Sequence, residues 1–305
     1  MRLLQLLVLA LVLTPSLLAA DRVPVAPGVE LHYVEAGEGA PMVFVPGWTM
    51  TSDLFRAQIE AFSDNHRVLS FDPRSHGKST KVGEGNTYAQ HGRDLGALLD
   101  QLGLDEVVLI GWSSGCHDVL AYVREYGVAK LRGVVLVDEP PKAVGDPEAE
   151  WVYGDFDDYR GTLESLLYRR RESAEGLARW MTARDLEEEE LRWVVDQSLA
   201  TPTEAALSLM VDTMLLDYTA EARSLDGRVP VLFMVREGWV DTARAWIEKS
   251  IPAAQVEVLS SHAEHWERPR EFNRKLRKFL DSIDLPSQWG GERSSRSGPP
   301  PAQSD

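Results

Sequence analysis

Five residues carry the clearest chemical signal in the chain: Gly111-Trp112-Ser113-Ser114-Gly115. They follow the apolar run Val107-Val108-Leu109-Ile110 and lead into a stretch with helical spacing. Gly-x-Ser-x-Gly between a strand and a helix describes a turn so sharp that a side chain at Gly111 or Gly115 would meet neighbouring backbone. Such a turn holds Ser113 on strained backbone and lifts its hydroxyl above the sheet edge. The free N–H groups of the following helix then point at any anion formed there. A serine hydroxyl is a poor nucleophile alone, so this geometry requires a histidine base and an acid to orient it.

The elements that must position these groups come from a chain of 305 residues, 44% hydrophobic and 26% charged, enough for a substantial core. Residues 1–20 stand apart from the rest. Arg2 is followed by an apolar run, then Thr14-Pro15-Ser16 and Leu18-Ala19-Ala20 before Asp21. This pattern reads as a secretory signal peptide, and the run is too short, and broken at Pro15, for a membrane span. The expectation is an exported protein, periplasmic or secreted, with no stable membrane association after cleavage. Cys116 is the one cysteine, so no internal disulfide forms, and its place just after Ser113 marks it as a small buried helix residue. The net charge of −16 argues against nucleic acid and anionic membrane surfaces as partners.

After residue 20 the periodicity alternates. Strands are expected over Val29–Ala36, 42–45, 67–71, 107–110, 133–137, 229–235 and 256–259. Helices are expected over 53–62 with Ser52 or Asp53 as N-cap, and over 87–102, 114–126, 242–250 and 270–283. Continuous apolar strands alternating with amphipathic helices predict an α/β fold with a mostly parallel sheet covered on both faces. Residues 141–225 break the rhythm, with Trp151, Tyr153, Phe156, Tyr159, Trp180 and Trp193 among many acids, and read as a helical cap. The cap should sit over the C-terminal strand edge, with one or two of its aromatics lining the pocket and the others packing. The acidic run at 187–190 reads as a solvated helix face, and 286–305 as a disordered tail. The core is then 21–140 with 226–285.

Four segments in order now resemble the α/β-hydrolase family, over roughly residues 28–285. They are Val45-Pro46-Gly47-Trp48, the loop Phe71-Asp72-Pro73-Arg74-Ser75-His76-Gly77-Lys78-Ser79, the Gly111–Gly115 elbow, and Ser261-His262-Ala263-Glu264-His265-Trp266-Glu267-Arg268-Pro269. The resemblance implies Ser113 as nucleophile and His262 as base, with His265 its competitor and His76 structural. It implies an oxyanion hole from the backbone N–H groups of Trp48 and Ser114. The family's usual histidine before the glycine is Pro46 here, which removes a side chain that would brace the loop.

The family's usual acid position, after the strand at 229–235, reads Arg236-Glu237-Gly238-Trp239-Val240-Asp241. Gly238 and Trp239 stand where the aspartate belongs. A minority of relatives take the acid from the end of the preceding strand, and here that end is Asp138-Glu139. The expected acid is Asp138, with Asp241, Glu237 and Glu139 as alternatives.

The resemblance implies an ester-like substrate, a carboxylic ester or lactone, cleaved through an acyl-enzyme without metal or organic cofactor. The partner is then a small-molecule substrate. A second reading is a cofactor-free dioxygenase or haloperoxidase-like enzyme that uses the His–Asp dyad. A third is a ligand receptor on the same scaffold. Serine at 113 excludes the aspartate-nucleophile dehalogenases and epoxide hydrolases.

Overall fold

A computed structural model describes residues 18–284. Residues 1–17 of the leader expected over 1–20, and the expected tail, lie outside the described residues. The first strand, β1 (Ala19–Ala26), takes in the last two residues of the expected leader and pairs antiparallel with β2 (Val29–Ala36). The chain continues through β3 (Ala40–Val45), α1 (Arg56–Phe62), β4 (His66–Phe71), α2 (Tyr88–Gln101), β5 (Val107–Trp112), α3 (Gly115–Tyr126) and β6 (Leu131–Val137). Five helices follow: α4 (Phe156–Tyr168), α5 (Arg170–Trp180), α6 (Glu188–Leu199), α7 (Thr203–Leu215) and α8 (Thr219–Ser224). The order closes with β7 (Val231–Arg236), α9 (Val240–Ser250), β8 (Gln255–Leu259), α10 (Glu264–Glu267) and α11 (Pro269–Asp284).

The strands form one sheet in the order β1-β2-β4-β3-β5-β6-β7-β8. From β4 to β8 every pair is parallel. Alternate side chains of the central strands point to opposite faces. Val43, Val45, Leu109, Leu136 and Phe233 pack with α2, α3 and α9 in one buried cluster. Met42, Phe44, Ile110, Val137 and Met234 pack with α1 and α11 in the other. Strands buried on both faces must be apolar throughout, which is why they read as unbroken runs.

Two expectations change at the edges. The N-cap before α1 is Thr51, whose hydroxyl accepts from Asp53 N, because a 3-10 turn over Ser52–Phe55 precedes the α-helix. Strand β5 runs on through Gly111 and Trp112, so the turn starts at Ser113 itself. The segment between β6 and β7 is helical, as its periodicity suggests, with one isolated bridge between Val144 and Gly154.

Candidate active site

Ser113 follows the last residue of β5 and has φ +53°. L-residues avoid this region, and holding one there costs about 1–3 kcal/mol, which the surrounding structure must supply. The restraints are visible. Ser113 N donates to Val137 O at 2.8 Å, and Cys116 N donates back to Ser113 O at 2.8 Å. A Cβ on Gly111 would lie 2.6 Å from Gly115 O, and one on Gly115 would overlap the Val45 carbonyl. Glycine at both ends is therefore the condition for the turn to close.

Thr49 after β3 and Asp138 after β6 are left-handed as well, at φ +60° and +54°. Asp138 follows β6 and is fully buried. Its Oδ2 accepts from His262 Nδ1 at 2.7 Å. Arg236 N donates to Oδ1 at 2.9 Å, and Arg236 Nη1 to Oδ2 at 3.2 Å. His262 lies in the loop after β8, and this loop is tied at two points. Trp112 Nε1 donates to His262 O at 2.7 Å, and Ala263 N donates to Met181 O at 2.9 Å. Burial lowers the His262 pKa. The Asp138 hydrogen bond and charge oppose this, and the Arg236 charge adds to it. The imidazole is therefore neutral near pH 7, the form a base requires.

Trp48 and Ser114 line the same cavity as Ser113. Among the described residues neither backbone N–H donates to the protein. The Trp48 indole, by contrast, is committed to Ala206 O in α7 at 2.9 Å. The next residue, Thr49, donates its N–H to His76 Nε2 at 3.1 Å, and His76 Nδ1 donates to Arg74 O at 2.9 Å. Burial holds the His76 pKa down at about 3, so its ring stays neutral and can accept. His76 thus braces the loop after β3, the task left open by Pro46.

The remaining candidates fall elsewhere. Asp241 and Glu237 are exposed, at the start of α9 and in the 3-10 turn before it. His265 is fully buried and stacks on Phe55 with centroids 4.7 Å apart, and burial pushes its pKa down to about 3. Glu139 is buried too, but its Oε2 accepts from the Tyr153 hydroxyl and not from His262. Cys116 is buried as expected, and burial pushes its thiol pKa well up. Sequence reasoning missed Arg236 and the Trp112 tether. The position of Trp112, between the two motif residues Gly111 and Ser113, was the available signal for the tether.

Ser113, Ser114, Trp48 and His262 face one cavity of about 300 Å³. Three cap aromatics line it, Tyr153, Tyr159 and Trp180, where one or two were expected. Trp180 also covers His262, with ring centroids 4.5 Å apart. Trp151 instead packs on Phe233 and Trp246, Trp193 stacks on Trp266 with centroids 5.8 Å apart, and Phe156 is exposed. Among the described residues no three His, Cys, Asp or Glu side chains gather as a metal-binding group, and no helix is long and apolar enough to cross a membrane.

Residues 40–177 match the family model described as alpha/beta hydrolase fold. A non-heme chloroperoxidase of Kitasatospora aureofaciens is 36% identical over 115 residues, 37% of this chain and 42% of that protein. The chain therefore matches less than half the length of this curated relative. The crystal structure of a bromoperoxidase from Bacillus anthracis superposes with a TM-score of 0.80 at 22% identity, over 86% of this chain and all of that one. An esterase from Exiguobacterium antarcticum does so at 0.79 and 20%, over 87% of this chain and all of that one. At these identities the two structures are alike in fold. The chain has the α/β-hydrolase fold.

Proposed function

We propose that this protein is a serine hydrolase that cleaves a carboxylic ester or lactone. The supporting observation is that strained Ser113 and the Asp138-bound imidazole of His262 face one aromatic-lined cavity. His262 Nε2 takes the Ser113 proton as Oγ attacks the carbonyl carbon. The Trp48 and Ser114 N–H groups hold the resulting oxyanion. Collapse expels the alcohol, which takes its proton from His262, and leaves an acyl-enzyme. His262 then deprotonates a water that releases the acid. The leader-like residues 1–20 support export to the periplasm or the exterior as the setting for this reaction.

The test is hydrolysis of a p-nitrophenyl ester series, with fluorophosphonate labelling of wild type and Ser113→Ala. Wild type should turn over and label, and the variant should do neither while keeping its fold. Labelling that persists in the variant refutes Ser113 as nucleophile.

The chloroperoxidase relative favours a second reading, in which hydrogen peroxide opens the acyl-enzyme and releases a peracid. Peroxide-dependent halide oxidation that requires Ser113 would support it. The dioxygenase reading has a separate readout, consumption of dissolved oxygen during turnover.

A further inference from the structure

Glu139 is 4% exposed, and it lines the cavity that Ser113 and His262 face. Its Oε2 accepts from Tyr153. Its Oε1 lies 3.4 Å from His117 Nε2. That ring nitrogen also meets the Pro140 carbonyl at 3.0 Å, an oxygen that can only accept, so Nε2 carries the proton. Burial pushes the His117 pKa down to about 4, and the ring brings no charge to Glu139 at neutral pH. Arg236 is the cation nearby, but its guanidinium is bound to Asp138 and lies over the Trp180 ring at 4.7 Å and the Trp239 ring at 3.9 Å. Glu139 therefore has no cation of its own. Burial pushes its pKa up to about 8. The Tyr153 hydrogen bond opposes this, the Asp138 charge adds to it, and Arg236 opposes it.

The rest of the cavity wall has the matching character. Tyr153 and Tyr159 supply aromatic faces, Trp180 and Trp48 already carry the Arg236 and Arg170 guanidinium groups at 4.7 and 5.8 Å, and Asp158 adds a carboxylate on α4. Among the described residues no lysine or arginine lines the cavity. Aromatic faces carry negative potential and hold cations, quaternary ammonium groups above all. A buried carboxyl without a cation stays protonated, and it ionises when a cation arrives. The net charge of −16 raises the encounter rate with cations further.

We propose that the cavity selects substrates that carry an organic ammonium group. Glu139 is the ion-pair partner of that group, and the aromatic faces of Tyr153 and Tyr159 lie beside it. The proposal rests on the ester-hydrolase reading and names its substrate class.

The experiment compares two thioesters that differ in one atom, acetylthiocholine and S-(3,3-dimethylbutyl) thioacetate. The full chain should prefer the cationic ester in kcat/KM by about tenfold or more. Glu139→Gln should bring that ratio close to unity. Both esters are read on the same variant, so a loss of folded protein cancels from the ratio. In parallel, Ser113→Ala is titrated with tetramethylammonium, followed by tryptophan fluorescence, with and without Glu139→Gln. Turnover of both esters without preference overturns the cation proposal and leaves the hydrolase reading standing. Tetramethylammonium binding that Glu139→Gln abolishes, without turnover of either ester, supports the cation site and counts against the hydrolase reading. Neither turnover nor binding overturns both.

Discussion

Arg236 grips Asp138 twice, through its backbone N–H to Oδ1 and its guanidinium to Oδ2, the oxygen that also accepts from His262. Arg236 is the last residue of β7, and the loop after β7 is where the family resemblance places the usual acid. In this chain that strand supplies a cation to a carboxylate from the neighbouring strand. The guanidinium is held over Trp180 at 4.7 Å and Trp239 at 3.9 Å, so one residue links Asp138, the cap and the start of α9. Its charge disfavours protonation of His262.

Arg236→Met should therefore weaken activity and change its pH dependence. The Arg236 charge lowers the His262 pKa, so its removal lets that pKa rise. A base must be neutral to act, so the acid limb of kcat/KM should move to higher pH. Arg236→Lys keeps the charge without the bidentate fork, and it should hold the limb closer to that of wild type. A limb that stays in place while kcat falls would reduce Arg236 to a packing role.

Three conservative substitutions separate the carboxylates. Asp138→Asn should lower kcat on an ester substrate by about 10³–10⁴, because the amide no longer orients the imidazole. Asp241→Asn and Glu237→Gln should stay within about twofold of wild type, since both side chains are exposed and surface changes of this kind cost little. Circular dichroism would show whether each variant is folded. A large loss in Asp241→Asn with Asp138→Asn active would reverse the assignment.

The core and most of the site were legible because few residue types can stand there. Only glycine fits at 111 and 115, and a central strand buried on both faces must be apolar. Asp138 was legible as the residue that follows β6 where the later acid position holds Gly238 and Trp239. Arg236 was not, because its partner lies 98 residues away and the contact depends on strand register. Val137 pairs with Met234, which carries Asp138 past the ladder toward the end of β7. The aromatics that face the cavity were hidden for a similar reason. Helical periodicity gives a face to each cap helix, but the packing of five helices decides which face meets the cavity.

The Trp112 indole offers a test of how His262 is held. Trp112→Phe removes the N–H that His262 O accepts and leaves that carbonyl unpaired inside the protein. Stability should fall by about 1–3 kcal/mol, read from denaturant unfolding. The base should also be held less well, so kcat should drop while KM changes little. Unchanged kcat in a destabilised variant would mean that Asp138 alone positions the ring.

Glu139 predicts a pH dependence of stability with a defined sign. Its folded-state pKa is raised to about 8 from an ordinary 4.5. Below 4.5 the carboxyl is protonated both folded and unfolded, so it carries no linkage penalty there. Between 4.5 and about 8 the unfolded chain loses this proton while the folded chain keeps it, and stability is lost progressively as pH rises. Glu139→Gln cannot titrate, and its amide oxygen can still accept from Tyr153. The unfolding midpoints of the two proteins should therefore nearly coincide around pH 4–5. The variant should gain on wild type steadily up to about pH 8, where the folded carboxyl ionises and the gap levels off. All other titrating groups are common to both proteins and cancel from the difference. Midpoint curves that run parallel from pH 5 to pH 8 would show that Glu139 is already ionised in the folded protein.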